Sequence, residues 1–192
     1  MKPSGIFYRD DVIDDVKGEK IISFLQKIQE EKWQPNNRGR FPGKIRLRIG
    51  YGRDCEENMP IEIDGIVGDI LDSIKTSISI EEMKMFDPFK SQKIRVTINR
   101  YKPGMKLPAH KDFQKYDNAV VIGLTICENR DSTRRIRFSL EQNGQKHIHD
   151  VLTRSLSGYF FFKDAYYDWK HEMLGSKKQK GIIYSLTFRA NC

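Results

Sequence analysis

From residue 92 onward the chain is a run of short segments, each bounded by turn residues and none long enough for a typical helix. Lys93–Tyr101 alternates, with Ile94, Val96 and Ile98 on one face, and Pro103-Gly104 marks a turn. Ala119–Cys127 is almost continuously apolar, the pattern of a strand buried on both faces. Arg135–Leu140 alternates and is followed by Asn143-Gly144, a strong hairpin dipeptide. His147–Leu152, Gly158–Lys163, Tyr166–His171 and Ile182–Arg189 complete the run. Such segments bury enough apolar surface only by pairing into sheets that pack on one another, so a β-sandwich or barrel is predicted here.

The front of the chain has a different period. Ile21, Leu25 and Ile28 recur at helical spacing within Lys17–Lys32, and Val67, Ile70, Leu71 and Ile74 do so within Ile61–Ile74. Between them Lys44–Ile49 alternates strictly, which predicts a half-buried strand with Arg46 and Arg48 on a basic outer face. Pro42, Gly43, Gly50 and Gly52 punctuate it as an exposed hairpin would be. The expectation is a single α+β domain, mainly β, over residues 1–192. In it, residues 1–87 supply helices and a basic hairpin at about 38–57, and residues 88–192 supply the sandwich.

Composition narrows the class. The length of 192 residues can bury a core without disulfides. Cys55, Cys127 and Cys192 are odd in number and scattered, which predicts a reducing, intracellular setting (cytoplasm or nucleus) and no zinc motif. No apolar run approaches the roughly 20 residues of a membrane helix, and Met1–Phe7 lacks a secretory pattern. No feature requires an oligomer, so a monomer is expected. The net charge of +8 is unevenly placed: residues 36–53 hold six basic and no acidic groups, and residues 88–192 hold twenty basic and nine acidic ones. The charge admits an anionic partner such as DNA or RNA, although a solvated face is the commoner meaning of a basic run.

Chemistry centres on His110-Lys111-Asp112. In an extended segment residues i and i+2 share a side, so His110 and Asp112 can reach one metal ion. A third ligand from a distant strand, His171, would complete a two-histidine, one-carboxylate face, the usual site of non-haem Fe(II) oxygenases. Alone, a His-x-Asp triplet is common and usually a surface feature.

Its surroundings are more specific. The stretch Asn99-Arg100-Tyr101-Lys102-Pro103-Gly104, then His110-Lys111-Asp112, then a distal His171, then Ile183-Tyr184-Ser185-Leu186-Thr187-Phe188-Arg189, resembles the AlkB family of Fe(II)- and 2-oxoglutarate-dependent dioxygenases over roughly residues 92–192. That family shows Asn-x-Tyr-x-Pro-Gly, His-x-Asp, a distal His and a terminal Arg-x-(Asn/Ser)-x-Thr-Phe-Arg. The resemblance implies a double-stranded β-helix (jelly roll) with N-terminal helices packed on one sheet. It implies that His110, Asp112 and His171 bind Fe(II) and form the catalytic centre. Asn99 and Tyr101 would hydrogen-bond 2-oxoglutarate, Ser185 takes the motif's Asn/Ser position, and Arg189 would pair with the carboxylate beside the keto group. The implied reaction consumes O2 and 2-oxoglutarate, releases succinate and CO2, and hydroxylates a C–H bond. On an N-methyl group the hydroxylated product collapses to formaldehyde and the free amine.

Ile183 departs from the pattern, standing where most relatives carry an arginine for the distal carboxylate of 2-oxoglutarate. Burying an unpaired carboxylate is costly. Three explanations are open: another cation reaches in, the cosubstrate is weakly bound or different, or the chain is non-catalytic. The first is preferred, with Arg135, Arg137 or Lys180 as the replacement, and Arg137 is assigned to the cofactor set. For substrate, Tyr51 and Phe113 could stack on a base while Arg46 and Arg48 grip phosphates. His147 and His149 read as a strand face, Trp169 as core or pocket lining, and Cys127 and Phe160–Phe162 as core. The expected function is oxidative demethylation of alkylated nucleic-acid bases. A protein-directed hydroxylase on the same scaffold is the second reading, and a nucleic-acid-binding module without turnover the third.

Overall fold

The computed structural model describes residues 1–35, 46–52, 55, 57–91, 94–112 and 119–190. Eleven strands are present among them: β1 Ile6–Arg9, β2 Gln34–Pro35, β3 Leu47–Gly52, β4 Arg95–Tyr101, β5 Leu107–His110, β6 Val121–Cys127, β7 Arg134–Gln142, β8 Gln145–Thr153, β9 Ser157–Phe161, β10 Lys170–Met173 and β11 Ile183–Arg189. The helices are α1 Asp15–Lys27, α2 Ile66–Ile74, α3 Ile80–Lys84, α4 Pro88–Ser91 and α5 Asp164–Tyr167, with a 3-10 turn at Glu30–Lys32. A seven-stranded sheet runs in the order β1-β9-β6-β11-β4-β3-β2, and a four-stranded sheet in the order β5-β10-β7-β8. All pairings are antiparallel, so the architecture is the expected jelly roll.

Alternation along the central strands creates two cores. Val96, Ile98, Ile122, Leu124, Ile126, Leu186 and Phe188 point to one face of the large sheet and meet Ile21 and Leu25 of α1 and Ile66, Val67, Ile70, Leu71 and Ile74 of α2. Apolar residues at helical spacing form these helices, and the Asp14 side chain caps α1 by accepting from the Lys17 N–H at 2.8 Å. The opposite face carries Tyr101, Val121, Tyr159 and Phe161, which pack against Ile136, Phe138, Trp169 and Met173. This inter-sheet space contains the candidate site.

Several boundaries differ from expectation. The first helix ends at Lys27 and the second begins at Ile66 rather than Ile61. The β7–β8 hairpin turns at Asn143-Gly144 with φ of 52° and 73°, the pair of positive angles such a turn demands. Tyr166–His171 is not a strand throughout. After β9 the chain must leave the large sheet for the small one, and α5 makes that crossing before β10 begins at Lys170. β1 pairs with the edge of β9 from outside the predicted run, because edge pairing is decided by tertiary docking rather than by a local pattern. No helix among the described residues is long and apolar enough to cross a membrane.

Candidate metal centre

β5 ends at His110, and β10 places His171 opposite it in register. The two rings lie 4.3 Å apart, centroid to centroid. Asp112 follows two residues later, with its Oδ1 3.8 Å from His110 Nε2 and 4.0 Å from His171 Nε2. One ligand atom from each of the three lies within 4.8 Å of the others, the only such group of metal-binding side chains among the described residues. Nitrogen and carboxylate donors in this number suit a divalent first-row metal and leave positions open.

The surroundings prepare these groups for coordination. His110 Nδ1 lies 2.9 Å from the Pro108 carbonyl oxygen, which can only accept. That bond puts the ring proton on Nδ1 and leaves Nε2 with its lone pair toward the cluster. Burial, which disfavours the imidazolium, lowers the pKa of both histidines, that of His171 to about 3. Burial pushes Asp112 the other way, but the charge of Arg189 and the hydrogen bond from it prevail and hold its carboxyl below its ordinary range. The Arg189 guanidinium donates to Asp112 Oδ2 at 2.8 Å. The cluster is therefore two neutral imidazoles and one carboxylate, the form a metal binds.

β4 and β11 lay out the rest of the floor. Their register pairs Tyr101 with Ile183, Asn99 with Ser185, Thr97 with Thr187 and Arg95 with Arg189. Asn99 is a hub: its Oδ1 accepts from Arg46 Nε, and its Nδ2 donates to the Ser185 carbonyl at 3.2 Å and to Thr187 Oγ1 at 3.3 Å. The Ser185 hydroxyl shares a 2.7 Å hydrogen bond with the buried Tyr159 phenol. Tyr101 is fully buried, and its hydroxyl has no hydrogen-bond partner. Asn99, Tyr101, Ser185 and Arg189 thus line one face with the three candidate ligands.

The other assignments need correction. Arg137 is not in the pocket: on β7 the inward positions are Arg134, Ile136 and Phe138, so Arg135 and Arg137 point outward, where both meet Asp150 of β8. Arg137 grips that carboxylate with two bonds, 2.8 and 3.0 Å. Lys180 is exposed. Arg46 is not on an outer basic face. It is buried, bonded to Asn99, and within electrostatic reach of Tyr101, Arg189 and Asp112. Arg48 is exposed, opposite Asn99 in register. Tyr51 takes the other face of β3, packs near Phe24 with ring centroids 6.1 Å apart, and lines a cavity of about 660 Å³ with Lys32 and Glu57. It cannot stack on a base near the candidate ligands, because a strand sends odd and even residues to opposite sides. Phe113 and most of the hairpin at 38–57 lie outside the described residues. Trp169 is buried between the sheets, and Cys127 is core, its thiol pushed up to about 12 by burial. His147 and His149 are partly exposed on β8 and join no metal-type cluster among the described residues.

Arg134 escaped the sequence reading. It is 3% exposed, and its guanidinium lies 3.8 Å from the Tyr101 ring centroid. The signal was available: if Ile136 and Phe138 face the core, the period of two puts Arg134 with them and Arg135 and Arg137 outside.

No family model and no curated protein matches the sequence. Solved structures do match in shape. The structure of OsALKBH1 superposes with a TM-score of 0.68 at 17% identity, covering 98% of this chain and 99% of that one. A prolyl-4-hydroxylase from Pseudomonas putida superposes with a TM-score of 0.59 at 16% identity, covering 97% of this chain and 91% of that one. The fold of this chain is AlkB-like, a double-stranded β-helix whose inter-sheet space holds a two-histidine, one-carboxylate cluster.

Proposed function

We propose that this protein is an Fe(II)- and 2-oxoglutarate-dependent dioxygenase that oxidises alkyl groups on nucleic-acid bases. The observation that carries the reading is the His110–Asp112–His171 cluster, facing Asn99, Tyr101 and Arg189 inside an AlkB-like fold. The donor set fits Fe(II), and His110, Asp112 and His171 would hold it. Bound there, the iron supplies oxygen activation coupled to decarboxylation of the keto acid, one atom of O2 entering succinate and the other a substrate C–H bond.

The chain's own residues supply geometry and exclusion of water. Pro108 fixes the tautomer of His110, and Arg189 fixes the Asp112 carboxylate. Arg189 is also the cation for the carboxylate beside the keto group. The Asn99 hub braces Arg46 against β11. Phe138 and Phe161 pack beside His171, with ring centroids 6.2 and 4.7 Å from the imidazole, and keep that side of the centre apolar. An anionic polymer as substrate is supported by the +8 charge and by Arg48, exposed on the Asn99 side of β3.

The test is a panel of methylated DNA and RNA oligonucleotides, single- and double-stranded, with a peptide arm. Products are read by mass spectrometry alongside succinate. The expected result is base demethylation with stoichiometric succinate and formaldehyde, lost in His110→Ala. Turnover of peptide alone would move the substrate class to protein. A wild-type protein that binds Fe(II) but releases no succinate under any substrate would sink the oxygenase reading.

A further inference from the structure

Ile183 leaves the far end of the inter-sheet space without a cation on β11. A buried cation stands there on the opposite sheet. Along β7, Phe138 pairs with His171 and Ile136 with Met173, and Arg134 lies two residues further on the same inward face. At about 3.3 Å per residue this is roughly 13 Å of strand from the candidate ligand His171. On the large sheet, β11 runs the same way, from Arg189 beside Asp112 to Ile183 opposite Tyr101. The contact of Arg134 with the Tyr101 ring shows that both walks end at one place.

Arg134 is a buried cation held only by neutral groups. Its Nη1 donates to Gln179 Oε1 at 3.0 Å and its Nη2 to the Met105 carbonyl, both neutral acceptors. Gln179 in turn donates to the Tyr101 carbonyl at 2.8 Å, which fixes the guanidinium over the ring. No carboxylate pairs with Arg134 among the described residues, although a buried guanidinium ordinarily has one. Its Nε and the Tyr101 hydroxyl are both buried without a hydrogen-bond partner. Burial pulls the Arg134 pKa down to about 10, still charged at neutral pH. Arg46 is also buried near Tyr101 and its Nη1 has no hydrogen-bond partner, but its Nε is held by Asn99 and it feels Asp112 and Arg189 as well as Tyr101, which places it nearer the metal end than Arg134.

We infer that Arg134, with the Tyr101 hydroxyl, holds the distal carboxylate of the keto-acid cosubstrate, a cation on the small sheet replacing the one that β11 lacks at Ile183. This assignment rests on the proposed 2-oxoglutarate chemistry. It makes the cosubstrate a dicarboxylate whose second charge is recognised by β7 rather than by β11.

Calorimetric binding tests it without turnover. Mn(II)-loaded protein is titrated with 2-oxoglutarate and with 2-oxopentanoate, which keeps the keto-acid end and has a methyl group for the distal carboxylate. Wild type is expected to prefer 2-oxoglutarate. Arg134→Met should weaken 2-oxoglutarate by about 100-fold, as removal of one partner of a buried charge pair does, and leave 2-oxopentanoate unchanged, so the preference disappears. Tyr101→Phe keeps the ring under the guanidinium and removes only the hydroxyl. It should cost several-fold for 2-oxoglutarate alone, and it serves equally if Arg134→Met does not fold. Binding of 2-oxoglutarate with its preference intact in both variants overturns the assignment and leaves the oxygenase reading standing. Failure of the Mn(II)-loaded wild type to bind either acid overturns both.

Discussion

At the scale of single residues, the site turns on how a few polar groups are spoken for. Arg189 was expected to pair with the cosubstrate carboxylate, and it also holds Asp112 at 2.8 Å. It therefore shapes the metal site itself. Arg189→Gln should lower Mn(II) affinity by about 10- to 100-fold, measured by titration with no keto acid present. Unchanged affinity would show that the Asp112 contact does not orient the ligand. The three candidate ligands were legible because His-x-Asp is local and the distal histidine is one of only four in the chain. Arg46 was misplaced because strand alternation gives two faces without saying which is inside. Its face is the one shared with Asn99, and that is known only once β3 pairs with β4.

At the scale of elements, pairing register supplies what periodicity cannot. Gly123 of β6 sits opposite Tyr159 of β9, and a Cβ at position 123 would come within 2.0 Å of the tyrosine ring. The glycine makes room for the phenol that bonds Ser185. Gly123→Ala should displace the ring and destabilise the fold by about 1–3 kcal/mol, read from the urea midpoint at constant slope. An unmoved midpoint would mean that the ring relocates without strain. Strands β4, β6, β7, β8, β9 and β11 follow the alternating or apolar runs, and the Asn143-Gly144 turn joins β7 to β8. The α5 crossing could not be read, since Tyr166–His171 is as aromatic as a strand. Only the need to pass between sheets selects a helical turn.

At the scale of the whole molecule, the large sheet separates two jobs. Its helix-covered face holds the larger core, and its other face holds the candidate metal-binding cluster. Ile70 is fully buried in the helix-side core. Ile70→Ala should cost about 2–5 kcal/mol of stability while leaving Mn(II) stoichiometry and affinity unchanged well below the melting temperature. Parallel loss of metal binding in the folded variant would show that the two faces are coupled.

By itself the sequence determined the helical front, the run of strands, the turn between β7 and β8, and the identity of the three candidate ligands, because each is written in local period, turn chemistry or rare residue types. The tertiary structure alone decided that Arg46 is buried, that Tyr51 turns away from the metal ligands, and that Arg134 rather than Arg135 or Arg137 occupies the inter-sheet space. The reason is geometric: a strand offers its residues to two sides, and which side becomes interior is fixed by the sheets that pack against it.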